Sequence, residues 1–132
     1  MPIDYSPDLQ LLVWAAALCV VQMLVAVAGA TLQVGLPRLA GNRDPLPELT
    51  GWVGRATRAH RNMLENLVLF ATLVIVAHIA GAANETTVLG AQLFFWARLV
   101  YAIIYLAGIP WVRTAVWAVS MVGLIIIFLQ LV

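Results

Sequence analysis

Arg55, Arg58, Asn62 and Glu65 follow one another at spacings of three, four and three residues within RATRAHRNMLENLVLFATLVIVAHIAG, the stretch from Arg55 to Gly81. On a helix these spacings place all four on one face. Arg98, Tyr101 and Tyr105 repeat the pattern at three and four, and Arg113 stands eight residues further on. Arginine forks bind carboxylates through two parallel hydrogen bonds, and Glu65 offers a partner for an ammonium. An arginine beside a thiol favours the thiolate and so activates a nucleophile. The set suits a small zwitterion carrying more negative than positive groups.

The elements that must position these residues are apolar. Of 132 residues, 64% are hydrophobic and 10% charged, against about 45–50% and about 25% in a soluble domain. A core of this size cannot hide that excess, so the chain reads as a membrane protein. Four apolar runs cover residues 9–32, 63–80, 86–107 and 111–132. Each is close to the roughly 20 residues that cross about 30 Å of hydrocarbon as a helix. With no water to satisfy the backbone, helices are the spanning element. The expected fold is all-α, a four-helix transmembrane bundle forming a single domain over residues 1–132, with helices at about 9–32, 50–81, 86–107 and 111–132. Residues 35–54, with Pro37, Pro45 and Pro47, read as an irregular loop, with Thr50 as a plausible N-cap of the second helix. GAANET joins the second and third helices, and Pro110 opens the fourth.

Charge placement sets the expected orientation. Arg38, Arg43, Arg55, Arg58 and Arg61 flank the first connection and Arg113 the third, whereas the N-terminus and GAANET carry no positive residue. The positive-inside rule then puts the first and third connections in the cytoplasm and both termini outside. MPIDYSPD carries Asp4 and Asp8 and no basic residue, unlike a secretory signal, so the first run is kept as a span. The net charge of +1 offers no basic surface for nucleic acid. All seven positive residues are arginines, which fits ligand or ion-pair work and equally fits codon bias. Cys19 is the only cysteine, so no intrachain disulfide forms, and it reads as a packing residue.

With these directions, the two polar stripes and Arg113 converge in the cytoplasmic half of the bundle. Arg98 lies about a dozen residues into its span, where a charge costs about 2.5–3.5 kcal/mol and usually marks function. Its bland reading is a buried pair with Glu65 holding two helices in register. Arg55 and Arg61 read as interfacial anchors. Tyr101 and Tyr105 have an aromatic-belt alternative, and Trp52, Trp96, Trp111 and Trp117 read mainly as belt or lipid-facing residues. His60 and His78 are separated by about 27 Å along one helix and cannot share a metal. No metal site is visible, and His78 is expected to be hydrogen-bonded within the bundle.

RATRAHRNMLEN resembles the second-helix signature of the membrane-associated proteins in eicosanoid and glutathione metabolism (MAPEG), and ARLVYAIIYLAGIPWVR is similar to the third helix and the start of the fourth in that family. The resemblance covers essentially the whole chain. It implies a homotrimer with glutathione held between subunits near the cytoplasmic side, and a lipophilic second substrate delivered by membrane lipid. Glutathione has two carboxylates, one ammonium and one thiol, which the polar set fits without singling it out. Carried over by motif, Arg58, Asn62 and Glu65 would hold glutathione from helix two. Arg98, Tyr101 and Tyr105 would contribute from helix three of the adjoining subunit, and Arg113 would stabilise the thiolate. Where several members place an arginine in helix one, this chain offers Gln22 and Gln33, with Arg38 just beyond.

The function the resemblance implies is a glutathione-dependent transferase or peroxidase. A non-catalytic trimer with the polar cluster as glue, binding another small anionic ligand, is the alternative. A small multidrug transporter would place a glutamate in its first helix, and here no acid follows Asp8 in that span. The absence of lysine and the alanine and valine content point to a bacterial source, hence an inner membrane. The orientation is checked with single cysteines on a Cys19→Ala background. In intact cells an impermeant maleimide should label Ala83→Cys but not Asn42→Cys; the reverse pattern would invert the topology.

Overall fold

The computed structural model describes residues 6–42 and 46–132, so Asp4, Arg43 and Pro45 lie outside the described residues. Five helices follow in order: α1 (Pro7–Val34), α2 (Leu36–Ala40), α3 (Gly51–Ile79), α4 (Glu85–Ala107) and α5 (Pro110–Leu129). The four long ones, α1, α3, α4 and α5, are each long and apolar enough to cross a membrane, so the expected four-helix membrane bundle is found. The expectation missed α2, a short helix inside the loop that the prolines had marked as irregular. Pro37 sits in its first turn, where a missing N–H costs nothing.

The ends of these helices follow local chemistry. Pro7 and Asp8 open α1, the one preset in φ and the other favoured by the helix dipole. Asn84 caps α4 reciprocally with Thr87: the Thr87 N–H donates to Asn84 Oδ1 at 2.9 Å, and the Asn84 N–H donates to Thr87 Oγ1 at 2.9 Å. Gly108 ends α4 at φ 83°, a left-handed turn that leaves one residue before Pro110 starts α5. Thr50 occupies the N-cap position of α3, but its side chain makes no cap bond. Its backbone is held instead by Gln33, whose Nε2 donates to Thr50 O at 3.0 Å and whose Oε1 accepts from Thr50 N at 2.9 Å. One helix-one glutamine thus ties the two ends of the long connection together.

The core runs between α1, α3, α4 and α5 through Met63, Phe70, Val74, Phe94 and Ile127, with Cys19 buried among them. Phe70 and Phe94 stack with ring centroids 4.1 Å apart. The outer faces stay apolar and exposed, as at Val68, Trp96 and Ile103, which is the surface a lipid environment requires. Between α4 and α5 the backbones nearly touch: a Cβ on Gly90 would lie 2.7 Å from Gly123 O, and one on Gly123 would lie 2.5 Å from Gly90 O. Because lipid tails are as apolar as the helices, such close packing of small residues takes over the role that hydrophobic burial plays in water.

At the end of α3 remote from Arg58, Asp8 is 1% exposed and His78 Nε2 lies 2.8 Å from its Oδ1. Thr87 Oγ1 donates to Asp8 Oδ2 at 3.2 Å. The expected hydrogen bonding of His78 is therefore found, and its partner knits the starts of α1 and α4 to the end of α3. For the helix crossing, Gly123→Val should lower stability by about 1–3 kcal/mol, read as a fall in the thermal midpoint in micelles. Val122→Leu, on an exposed position, should leave it nearly unchanged; equal effects would refute the close-contact account.

Candidate functional site

Three helices bring the polar residues together. From α3 come Arg58 and Asn62, one turn apart; from α4 come Tyr101 and Tyr105, also one turn apart; from the first two turns of α5 come Arg113, Thr114 and Trp117. They line an open cleft of about 260 Å³. Arg58 Nε donates to the Tyr105 hydroxyl at 3.2 Å. The Arg113 guanidinium stands 4.5 Å from the Tyr105 ring centroid, within cation–π range. Tyr101 meets Tyr105 edge to face at 5.5 Å. One phenol is thereby braced by two arginines from different helices.

Behind the tyrosines lies Arg98, 1% exposed. Its Nη2 donates to Asn62 Oδ1 at 2.7 Å, and its guanidinium covers the Tyr101 ring at 4.2 Å. Asn66 Nδ2 donates to Asn62 O at 2.8 Å and Asn62 Oδ1 at 3.1 Å, which fixes the amide that Arg98 reads. Arg98 Nε and Nη1 are buried without a hydrogen-bond partner among the described residues. Arg98 therefore supports the cleft from behind and does not line it.

One expectation about this set is corrected. Glu65 does not pair with Arg98: it is exposed on the outward edge of α3 and makes no ion pair among the described residues. The inward positions at that height belong to Met63 and Asn66, so the neutral amide of Asn62 takes the place of the carboxylate. The stripes of α3 and α4 meet within one chain, through Arg58 with Tyr105 and Arg98 with Asn62. Among the described residues, no acidic side chain lines the cleft. With Arg58 and Arg113 on its walls, its chemistry is that of an anion receptor.

Arg55 has a role the spacing did not reveal. Its Nε donates to Leu106 O at 3.1 Å, satisfying a carbonyl left open at the end of α4. It thus fixes the α4–α5 turn that aims Arg113. Thr114 and Trp117 were likewise missed as cleft residues; the spacing of Trp117, four from Arg113 and three from Thr114 on the same helix, is the signal that joins them. Gln22, buried in α1 with its Oε1 unpaired among the described residues, is not part of the cleft.

The support given by Asn62 can be tested. Asn62→Leu leaves Arg98 buried without a hydrogen-bond partner and should cost about 1.5–3 kcal/mol. Asn62→Leu with Arg98→Met should recover most of that loss, because an apolar pair replaces a buried charge. Thermal unfolding of both variants checks this; a double variant as unstable as the single would sink the account.

No match is found among curated proteins. The sequence model of the MAPEG family matches residues 11–132, which span the whole of the cleft and all four long helices but for the first four residues of α1. With its four apolar helices and an arginine–tyrosine cleft at the positions the motifs marked, the chain belongs to the MAPEG family, the membrane proteins of eicosanoid and glutathione metabolism.

Proposed function

We propose that the protein is a membrane-bound glutathione-dependent transferase or peroxidase acting on lipophilic electrophiles or hydroperoxides. The observation that carries this reading is the cleft, without an acidic side chain among the described residues, in which Arg58 and Arg113 converge on Tyr105. Arg58, with Asn62 and the Tyr101 and Tyr105 hydroxyls, would receive the carboxylates and amides of glutathione. Glu65, on the outward edge, is the remaining acceptor for its ammonium. The cleft, at about 260 Å³, is below the roughly 300–1,000 Å³ of a typical small-molecule site. A second subunit in a homotrimer would complete it and bring Glu65 under cover.

Arg113 would act on the sulfur. A free thiol has a pKa of about 8.5, so at neutral pH it is mostly protonated. A guanidinium beside it favours loss of the proton to solvent. Arg113 is held over the Tyr105 ring, so its charge is placed before the ligand arrives. The thiolate then attacks an electrophilic carbon, forming a C–S bond as the leaving group departs with the bonding pair. With a hydroperoxide it attacks the terminal oxygen instead, and the O–O bond breaks to give an alcohol and a sulfenic acid. A second glutathione condenses with the sulfenic acid to a disulfide and water. The electrophile arrives from the bilayer, on which the outer faces of all four spanning helices open.

The test is an ultraviolet difference spectrum of the purified protein on adding glutathione at neutral pH. A thiolate band is expected, lost in Arg113→Ala and kept in Arg38→Ala. Binding of glutathione without a band would support the alternative, a non-catalytic protein of the same fold that holds a small anionic ligand. Neither binding nor band would remove the glutathione reading altogether.

A further inference from the structure

A second recess of about 560 Å³ lies on another flank of α3, about 120° round from Arg58 and Asn62. It is walled by Met23, Val27 and Val34 of α1, Leu39 of α2, and Leu46 and Leu49 of the segment leading into α3. His60 and Arg61 form its polar edge. The two threonine hydroxyls that also reach it are already committed, Thr31 to Val27 O at 2.8 Å and Thr57 to Val53 O at 2.9 Å. Among the described residues, His60 and Arg61 have no hydrogen-bond or ion-pair partner and no acidic side chain lines the recess.

The recess therefore has an apolar trough along the end of one spanning helix and a basic lip where the connecting segment returns. The Gln33–Thr50 bonds hold that segment beside the trough, so the walls are fixed by the fold. An occupant must match both parts: an extended apolar chain and an anionic head placed at the boundary between them. A membrane phospholipid with a negative headgroup has that chemistry, and the bilayer supplies it at high local concentration. Basic side chains at the membrane surface attract such headgroups, and an arginine fork binds phosphate oxygens in pairs.

We propose that this recess binds one anionic phospholipid, with an acyl chain along Met23–Val34 and its phosphate at His60 and Arg61. The site is separate from the arginine–tyrosine cleft, and its occupancy does not depend on what that cleft binds. Because Arg58 and Arg61 share one turn of α3, the lipid would sit against the outer wall of the cleft and hold that turn in place.

Native mass spectrometry tests this on the full chain purified in micelles containing equal amounts of phosphatidylglycerol and phosphatidylcholine with matched acyl chains. Phosphatidylglycerol adducts should exceed phosphatidylcholine adducts by about fivefold or more. The joint change His60→Gln and Arg61→Gln should bring the ratio near one. Val27→Trp, which fills the trough from an exposed position, should reduce both kinds of adduct. Arg38→Gln removes an arginine charge from α2 at a position that does not line the recess and should leave the ratio unchanged. An equal loss in Arg38→Gln would reduce the preference to general surface attraction and overturn the site. Adducts that persist in Val27→Trp would overturn it as well. A change in subunit number caused by Val27→Trp would reassign the recess as a surface covered by a second copy of the chain.

Discussion

The arrangement of the bundle depends on keeping one arginine charge in an apolar interior. Arg98 is almost wholly buried, at a position where translocon scales put the penalty at about 2.5–3.5 kcal/mol. Its partners are an amide and an aromatic face, with no carboxylate. The charge is therefore spread into neighbouring dipoles and left uncancelled. That choice fixes much else: Asn62 must be held by Asn66, Tyr101 must lie flat against the guanidinium, and α3 must approach α4 within reach of a single hydrogen bond. The positive potential that results extends into the cleft, where Arg58 and Arg113 add to it.

Much of the architecture was legible because lipid simplifies the problem. A span needs about 20 apolar residues and no other solution satisfies the backbone, so four helices follow from four runs. Spacing also brought Arg58, Asn62, Tyr101, Tyr105 and Arg113 to one region, as three- and four-residue steps must on a helix. What spacing could not tell was which side of a shared stripe turns inward. Glu65 lies about 20° from Arg58 on a helical projection, yet it is exposed two turns further along α3 and outside the cleft, while Asn66, about 100° round from it, is buried. Periodicity assigns a face, and packing against neighbouring helices decides where the face's edges fall.

The connections were the least legible part. Gln33 reads as one polar residue near the end of an apolar run, and nothing local announces that it will bond both backbone groups of Thr50. Arg55 likewise looks like a topology signal until Leu106 O is found beside it. Asp8 and His78 lie seventy positions apart and form a pair only because α1 and α3 are neighbours. In each case a polar group at a helix end meets a partner distant in sequence, and that information resides in the tertiary arrangement.

The Gly90–Gly123 crossing has a mechanical consequence. With backbones in contact and no side chain between them, α4 and α5 have little room to slide or roll against each other and behave as one stiff plate. That plate carries Tyr101, Tyr105, Arg113 and Trp117, whereas Arg58 and Asn62 ride on α3, which packs against α4 and α5 less extensively. The less extensive packing of the molecule thus runs along the cleft itself, bridged by the bonds of Arg55, Arg58 and Arg98. The spacing between Arg113 and the tyrosines is set inside the plate, whereas the width of the cleft between Arg58 and Arg113 is set by those few polar bonds.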